Sequence, residues 1–427
     1  MSKPFHFSAL ILILFLWNSC SAYKPHPIDI RRDTDEWRQV SQEFVGSSKQ
    51  LTWEQMRSIG LFLNADLNKA RLTFLKSRST AKYAGLWDDP SLAVSGARYL
   101  KGMQYDRSAS LGLTIPVSGR TVLARKVAQM YSDTDLMELK ATESDYLMRL
   151  HALYYTIQIT HSKHELMRER VNQASEELAS IVHLAEAGET NIQELHNATQ
   201  RRNDLLKQLQ ELENEHLNKH LELVSMLGLH PAVGAVEVVG SLPQSVPKAI
   251  PAPTAEALLQ HPRLQAAMYA YQTSEQELRL EIRKQYPDIS LSPGFEHEEG
   301  NNKLALEFGF TLPLWNRNRE AIARAHGARE LGRHSAIQQW RELVQQAYAL
   351  NLRQLLALKH CQTEFDRLTA MQETSEAQEN LYRMGEIDLP TLAGTRHETF
   401  SRRLAYLDCL AELIEIQVAL QTLSSPE

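Results

Sequence analysis

The stretch Leu304-Ala305-Leu306-Glu307-Phe308-Gly309-Phe310-Thr311-Leu312-Pro313 alternates large apolar residues with small or polar ones and stops at a proline. A period of two with one apolar side is the signature of a β-strand that hides one face from water. Its end, Gly309-Phe310-Thr311-Leu312-Pro313, copies Gly112-Leu113-Thr114-Ile115-Pro116, which lies 197 residues earlier. The same offset pairs Pro90 with Pro287, Arg120 with Arg317, Gly188-Glu189 with Gly385-Glu386, and Leu195 with Leu392. Without a gap it aligns residues 66–227 with 263–424. Glycine and proline landmarks in register are the mark of a duplicated supersecondary unit.

Each unit reads alike. A helical segment, 51–86 or 255–285, ends before Pro90 or Pro287. Two strands follow, predicted at 91–100 and 108–116, then at 288–297 and 304–313. Leu92, Val94 and Leu100 share a face in the first strand, as do Leu111, Leu113 and Ile115 in the second and Ile289, Leu291 and Phe295 in the third. The polar segments Lys101–Asp106 and Glu298–Lys303 read as hairpin loops. From Thr121 to Ala187 neither Pro nor Gly interrupts the chain, and a helix of that length spans about 100 Å. Gly188 breaks it, and a second helix runs from Asn191 to about Leu227. Gly385 and Pro390 mark the same break in the second unit. The returning helix carries two stripes, Leu205, Leu212, Leu223 and Leu227 beside Leu206, Leu217, Leu221 and Val224. Two stripes imply a neighbour on each side, as in a closed helical wall.

Composition narrows the function. Among 427 residues, 46 Lys and Arg face 52 Asp and Glu, for a net charge of −6. With 43% hydrophobic and 23% charged residues, the chain is neither disordered nor collagenous. Slight acidity without basic runs argues against a nucleic-acid partner. No nucleophile elbow, phosphate loop, His-Glu-x-x-His or Cys-x-x-Cys occurs, so no enzyme, cofactor or metal centre is expected. Only Cys20, Cys361 and Cys409 are cysteines. Lys3 followed by the apolar run Ala9–Trp17 reads as an export signal. It covers residues 1–22 if cleaved after Ala22, or ends at 19 if Cys20 is lipidated. The remaining chain divides into a segment at 23–50, a first repeat at 51–232 with its tip at 185–193, a linker at 233–254, and a second repeat at 255–424 with its tip at 382–391.

Strands of nine or ten residues match the ~9–11 needed to cross a bilayer when tilted. Four strands cannot close a barrel, and an open edge cannot sit in lipid. Closure therefore demands an oligomer, 8 strands from two chains or 12 from three. Leu304, Leu306, Phe308, Phe310 and Leu312 are expected to face lipid and Glu307 the lumen, because a carboxylate facing hydrocarbon is costly.

Ala84-Gly85-Leu86-Trp87-Asp88-Asp89-Pro90, the turn Ile115-Pro116 to Gly119-Arg120, Pro313-Leu314-Trp315-Asn316-Arg317-Asn318-Arg319, and Tyr382-Arg383-Met384-Gly385-Glu386-Ile387-Asp388 resemble the outer-membrane efflux protein family, the TolC-like channels. The Pro313–Arg319 stretch is most similar to the heavy-metal efflux branch. Cys20 followed by Tyr23-Lys24-Pro25 resembles the start of lipidated members. The resemblance spans residues 20–424. It implies a mostly α, α+β fold: a homotrimer with a 12-stranded transmembrane β-barrel continued by a long periplasmic α-helical barrel, with residues 23–50 and 233–254 as equatorial segments. It also implies a Gram-negative outer membrane, a periplasmic adaptor (a membrane fusion protein) and an inner-membrane pump of the resistance-nodulation-division type. The cargo would be heavy-metal cations or small toxic compounds. The alternatives are a duct for type I protein secretion and a periplasmic coiled-coil scaffold that forms no channel. The scaffold has no use for lipid-facing strands.

Gly188, Glu189 and Glu194 in the first tip, and Arg383, Gly385, Glu386 and Asp388 in the second, are the candidate gate. The plain alternative is an ordinary helix stop followed by carboxylates that favour the next helix N-terminus. Family members often carry Asp beyond the second tip glycine. Thr391 and Gly394 stand there instead, leaving Glu194 for that role. Arg383 is expected to pair with Glu186, Glu189 or Glu194 when the tips close. Arg317 and Arg319 are expected to pin the strand-to-helix corner. The pairs His216/His220 and His161/His164 each supply only part of a metal shell, so they read as polar residues on a helical wall. Cys361 and Cys409, each 24 residues from Gly385, fall at one height and read as free thiols.

Overall fold

The computed structural model describes residues 23–98, 105–298 and 301–424. The export signal with Cys20, Leu100 and most of the first hairpin loop lie outside them. In chain order the elements are α1 (Ile30–Val45), β1 (Gln50–Leu51), α2 (Trp53–Leu63), α3 (Ala65–Tyr83), β2 (Ser91–Arg98), β3 (Tyr105–Ile115), α4 (Arg120–Glu186), α5 (Ile192–Leu227), β4 (Glu237–Val238), α6 (Ala255–Gln260), α7 (Pro262–Arg283), β5 (Ile289–Glu298), β6 (Asn301–Phe310), α8 (Arg319–Met384) and α9 (Leu389–Ser424). The long helices hold 67 and 66 residues, about 100 Å each.

β2, β3, β5 and β6 form one antiparallel sheet in that order, joined between repeats by β3 and β5. Cross-strand partners share a face. Leu92 opposes Leu111, Leu113 opposes Leu291, Ile115 opposes Ile289, and Phe308 opposes Leu291 from the other side. The opposite face carries Ser108, Ser110, Ser290, Ser292, Glu296 and Glu307.

Three strand boundaries differ from the sequence reading. β3 begins at Tyr105, because Tyr105 and Asp106 pair with Arg98 and Ala97 rather than lie in the hairpin loop. Asn301, Asn302 and Lys303 pair with Glu298, His297 and Glu296, so they extend β6 rather than form a loop. At the other end β6 stops at Phe310, and Leu312 lies beyond it. The cause is pairing. β5 begins at Ile289, which opposes Phe310, so residues past 310 have no strand beside them. In the first repeat β3 reaches Ile115 because β5 holds Leu113–Ile115 from its second side.

The helices form a wall with open margins. α4 packs with α3, α5, α7 and α9, whereas α8 packs with α7 and α9. One core, around Leu51, Met56, Ile59, Tyr146, Leu150, Leu223 and Leu227, joins α2, α4 and α5 beneath the parallel β1–β4 ladder. A second joins α4, α8 and α9 through Ile159, Ala357, Leu410, Leu413, Ile414 and Val418. The linker lies against that second core. Buried Gln354 both donates to and accepts from the Ile250 backbone, at 2.9 and 2.8 Å, and Gln417 donates to the Lys248 carbonyl at 2.9 Å. These amides satisfy an extended backbone that has no sheet partner. Cys361 and Cys409 are buried, free thiols whose sulfurs lie 2.7 Å apart, so equal height here also brings the side chains together.

Candidate sheet face, seam and helical tips

Three surfaces can do work. The first is the apolar side of the sheet. Leu304 is 91% exposed, and Leu92, Val94, Phe295, Leu306, Phe308 and Phe310 are exposed with it. Leu312 is exposed too, outside the strand. Glu307 lies on the polar side, opposite Ser292. A continuous apolar face of this kind is stable only against lipid or a partner. Among the described residues no helix is long and apolar enough to cross a membrane.

The corner where sheet meets helix is pinned differently in each repeat. Arg120 binds Asp288 at 2.6 Å and Asp88 at 3.6 Å, which ties the first repeat to the second. Its counterpart Arg317 instead donates to the Pro313 carbonyl at 3.1 Å. Asn318 holds that corner by donating to the Glu281 carboxylate at 2.7 Å. Among the described residues neither Arg317 nor Arg319 forms an ion pair, so Arg317 pins the corner through a backbone carbonyl rather than a carboxylate.

The second surface is the margin of the wall, and the repeat makes it legible. Ile159 is 3% exposed, yet its counterpart 197 residues on, Leu356, is 71% exposed. Ile414 and Val418 are 5% and 4% exposed, whereas their counterparts Leu217 and Leu221 are 53% and 58% exposed. Ile159, Ile414 and Val418 share one core between α4 and α9. The equivalent residues on α8 and α5 sit on opposite margins and have no such core.

The third surface is the pair of tips, which are built alike. Gly188 and Gly385 both have φ +77°, a conformation that side chains other than glycine's resist. In each, the next amide reaches back across the turn, Glu189 to the Leu184 carbonyl at 2.8 Å and Glu386 to the Leu381 carbonyl at 2.9 Å, the Schellman arrangement. Asn191 and Asp388, 197 residues apart, then cap the returning helices by accepting from the amides of Glu194 and Thr391. Those Thr391 hydrogen bonds, first from the hydroxyl, hold the Asp388 carboxyl below its ordinary range. Glu194 accepts a hydrogen bond from the Thr190 hydroxyl.

Arg383 does not meet Glu186, Glu189 or Glu194 within the chain. It pairs with Glu379, one turn back on α8, at 3.7 Å. Glu379 in turn accepts from Arg396 on α9 at 2.9 Å, and Arg396 approaches Glu177 on α4 at 3.6 Å. Glu177 binds Arg170 at 3.1 Å, with both side chains nearly fully buried. Five residues on three helices thus make one ion-pair chain that the sequence did not reveal, since its members come from segments about 200 residues apart. Its buried end is costly to break, because removing one partner strands a charge away from water.

The two histidine pairs converge. His216 and His220 Nε2 are 3.0 Å apart, and the His161 and His164 rings lie 5.7 and 6.2 Å from that of His216. Burial, with His220, His161 and His164 adding to it, pushes the His216 ring down to about 4.

Residues 61–229 match the family described as outer membrane efflux protein. Among curated proteins none matches the chain. Solved structures of similar fold include the CmeC outer membrane channel of Campylobacter jejuni, 14% identical over 96% of this chain and 90% of that one, with a TM-score of 0.75. CusC, described for its folding and transmembrane channel formation, is 16% identical over 87% and 92%, at 0.72. The outer membrane protein VceC of Vibrio cholerae is 13% identical over 91% and 98%, at 0.71. Residues 61–229 are thus similar to the outer membrane efflux protein family, and the chain as a whole shares the tandem-repeat fold of these solved outer-membrane channels.

Proposed function

We propose that this chain is one third of a passive outer-membrane efflux duct, a β-barrel in lipid continued by an α-helical barrel in the periplasm. The observation that carries the reading is the complementarity of its open margins. Within the chain, α4 and α9 bury Ile159 against Ile414 and Val418. Between chains, α8 of one copy would bury Leu356 against Leu217 and Leu221 of the next. The sheet supports the same closure. β2 and β6 each have one strand neighbour. Moving the β3–β5 register by one repeat sets β6 beside β2 of the next copy, with Phe310 opposite Val94 and Thr311 opposite Ala93, as Leu113 opposes Leu291 and Thr114 opposes Ser290 within the chain. That neighbour would also draw Leu312 into the strand. Three chains of four strands give 12, an even number of the kind bacterial barrels use, with Leu304, Leu306, Phe308 and Phe310 toward lipid and Glu307 toward the lumen.

The duct holds no energy source, so the reading includes an inner-membrane pump and a periplasmic adaptor that meets the tips. A pump of the resistance-nodulation-division type rests on the family resemblance of Pro313–Arg319. Three copies would bring six tip carboxylates, Glu189 and Glu386, toward the axis. Arg383, anchored to the ion-pair chain through Glu379, is the cation placed to offset them. The lipid-facing sheet speaks against a periplasmic scaffold. Membrane fractionation followed by planar-bilayer recording of the purified protein tests the reading. Outer-membrane recovery and discrete conductance steps are expected. A soluble protein, or an assembled oligomer that never conducts, would overturn it.

A further inference from the structure

The first repeat departs from the second at one level of its hairpin. Where the second has Leu358, Leu413 and Gln417, the first has His161, His216 and His220, each 197 residues earlier. Leu413 is fully buried in apolar core and Gln417 is spent on the Lys248 carbonyl. The template at this level is thus a packed hairpin with one linker-binding amide. The histidines replace that packing with a cavity of about 100 Å³, lined by Gln158, His161, His216, His220, Glu237 and Gly240. Gly240 lets its backbone approach this wall closely, since a Cβ there would lie 2.1 Å from Tyr154 Oη and 2.3 Å from Gln158 Nε2.

The polar groups around this cavity are not used up. Gln158, 6% exposed, has neither its amide nitrogen nor its oxygen in a hydrogen bond, and the Nδ1 atoms of His216 and His220 are likewise buried without a hydrogen bond. Buried polar groups in this state cost stability unless something completes them. The short His216–His220 contact sets two ring nitrogens side by side, and neutral imidazole is the form that ligates metals. Tetrahedral zinc with Zn–N bonds of about 2.0–2.1 Å needs its nitrogens roughly 3.3 Å apart, close to the 3.0 Å found.

We propose that His216, His220 and His161 form a binding site for a late first-row divalent cation of the zinc or copper kind, which fastens α4 to α5 beside the Glu237–Gly240 segment. Among the described residues no three donors already surround one point. His216 and His220 supply the standing pair, and His161, exposed at the mouth of the cavity, completes the set by side-chain rotation. Imidazole suits this class of ion. His164 is not a ligand: its ring stacks on His216 and its nitrogens lie 3.3 and 3.7 Å from Glu165 and Glu213.

The test is Zn²⁺ titration by calorimetry of the tag-free, chelator-stripped full-length protein, with Cu²⁺ electron paramagnetic resonance as a second readout. The wild type should take up one Zn²⁺ per chain, and the Cu²⁺ spectrum should show imidazole nitrogen coupling. His216→Leu with His220→Gln copies the second repeat at this level, so it should fold and bind no ion. His161→Ala should weaken binding roughly 100-fold, and His164→Ala should leave it unchanged. A wild type without saturable Zn²⁺ uptake, unchanged affinity in the Leu/Gln variant, or loss of binding on His164→Ala would each overturn the proposal.

Discussion

The two long hairpins are copies in sequence, yet they sit in different surroundings. In the first, α4 is flanked by α3, α5, α7 and α9 of its own chain, and Ile159 is buried. In the second, α8 runs along the margin and leaves Val344, Tyr348, Leu352, Leu355 and Leu356 exposed at helical spacing. The pattern on α8 is therefore an unfinished version of the one on α4. A residue's burial in one repeat forecasts the burial its counterpart gains on assembly, which turns a single chain into a guide to its own interface.

The largest expected effect separates folding from assembly. Ile159→Asp should destabilise the chain by about 3–5 kcal/mol, because it strands an unpaired charge in the core. Leu356→Asp should leave the isolated chain's helicity and melting temperature near wild type but abolish the oligomer. Circular dichroism melts and sedimentation velocity on both variants measure this. Equal loss of folding in the two would break the comparison.

The two faces of the sheet make a second contrast. Phe308→Arg should impair barrel assembly by about 2–4 kcal/mol if the residue lies near the bilayer midplane. Glu307→Arg, one residue away on the opposite face, should assemble normally and shift ion selectivity toward anions. Heat-modifiable migration and reversal potentials read these outcomes. Equal tolerance of both would remove the strand from the membrane.

Register sharpens the comparison further. Ala93→Cys with Thr311→Cys, in a background lacking Cys361 and Cys409, should cross-link neighbouring chains into a covalent ring under mild oxidation. Val94→Cys with Thr311→Cys should not, because one step along a strand turns the side chain to the other face. The reverse result would refute the transferred register.

The smallest effect belongs to the tips. Arg383 is exposed and its pair with Glu379 is worth about 0–1 kcal/mol. Arg383→Glu should raise the conductance of the isolated channel without lowering its assembly, since three copies together can bias a gate of a few kcal/mol. Unchanged conductance would leave closure to helix packing.

Much of this was legible in the sequence, for physical reasons that also set its limits. The 197-residue offset, the strand alternation and the tip glycines are local signals, and the sheet, the long helices and the left-handed Gly188 and Gly385 follow from them. The alternation continues through Leu312, but β6 stops at Phe310, where β5 supplies no further partner. Arg317 lacks the carboxylates that Arg120 finds at the junction between repeats. The chain from Arg170 to Arg383 and the meeting of His161 with His216 depend on which helices lie side by side, and no spacing along one helix reports that.

The central claim is that the margins of this chain complete each other in a closed ring of three. Native mass spectrometry of the detergent-purified protein, beside Leu356→Asp, tests it most directly. The account predicts a single species with three times the chain mass for the wild type and monomer for the variant. A wild-type monomer or dimer, or a variant that remains trimeric, would contradict it.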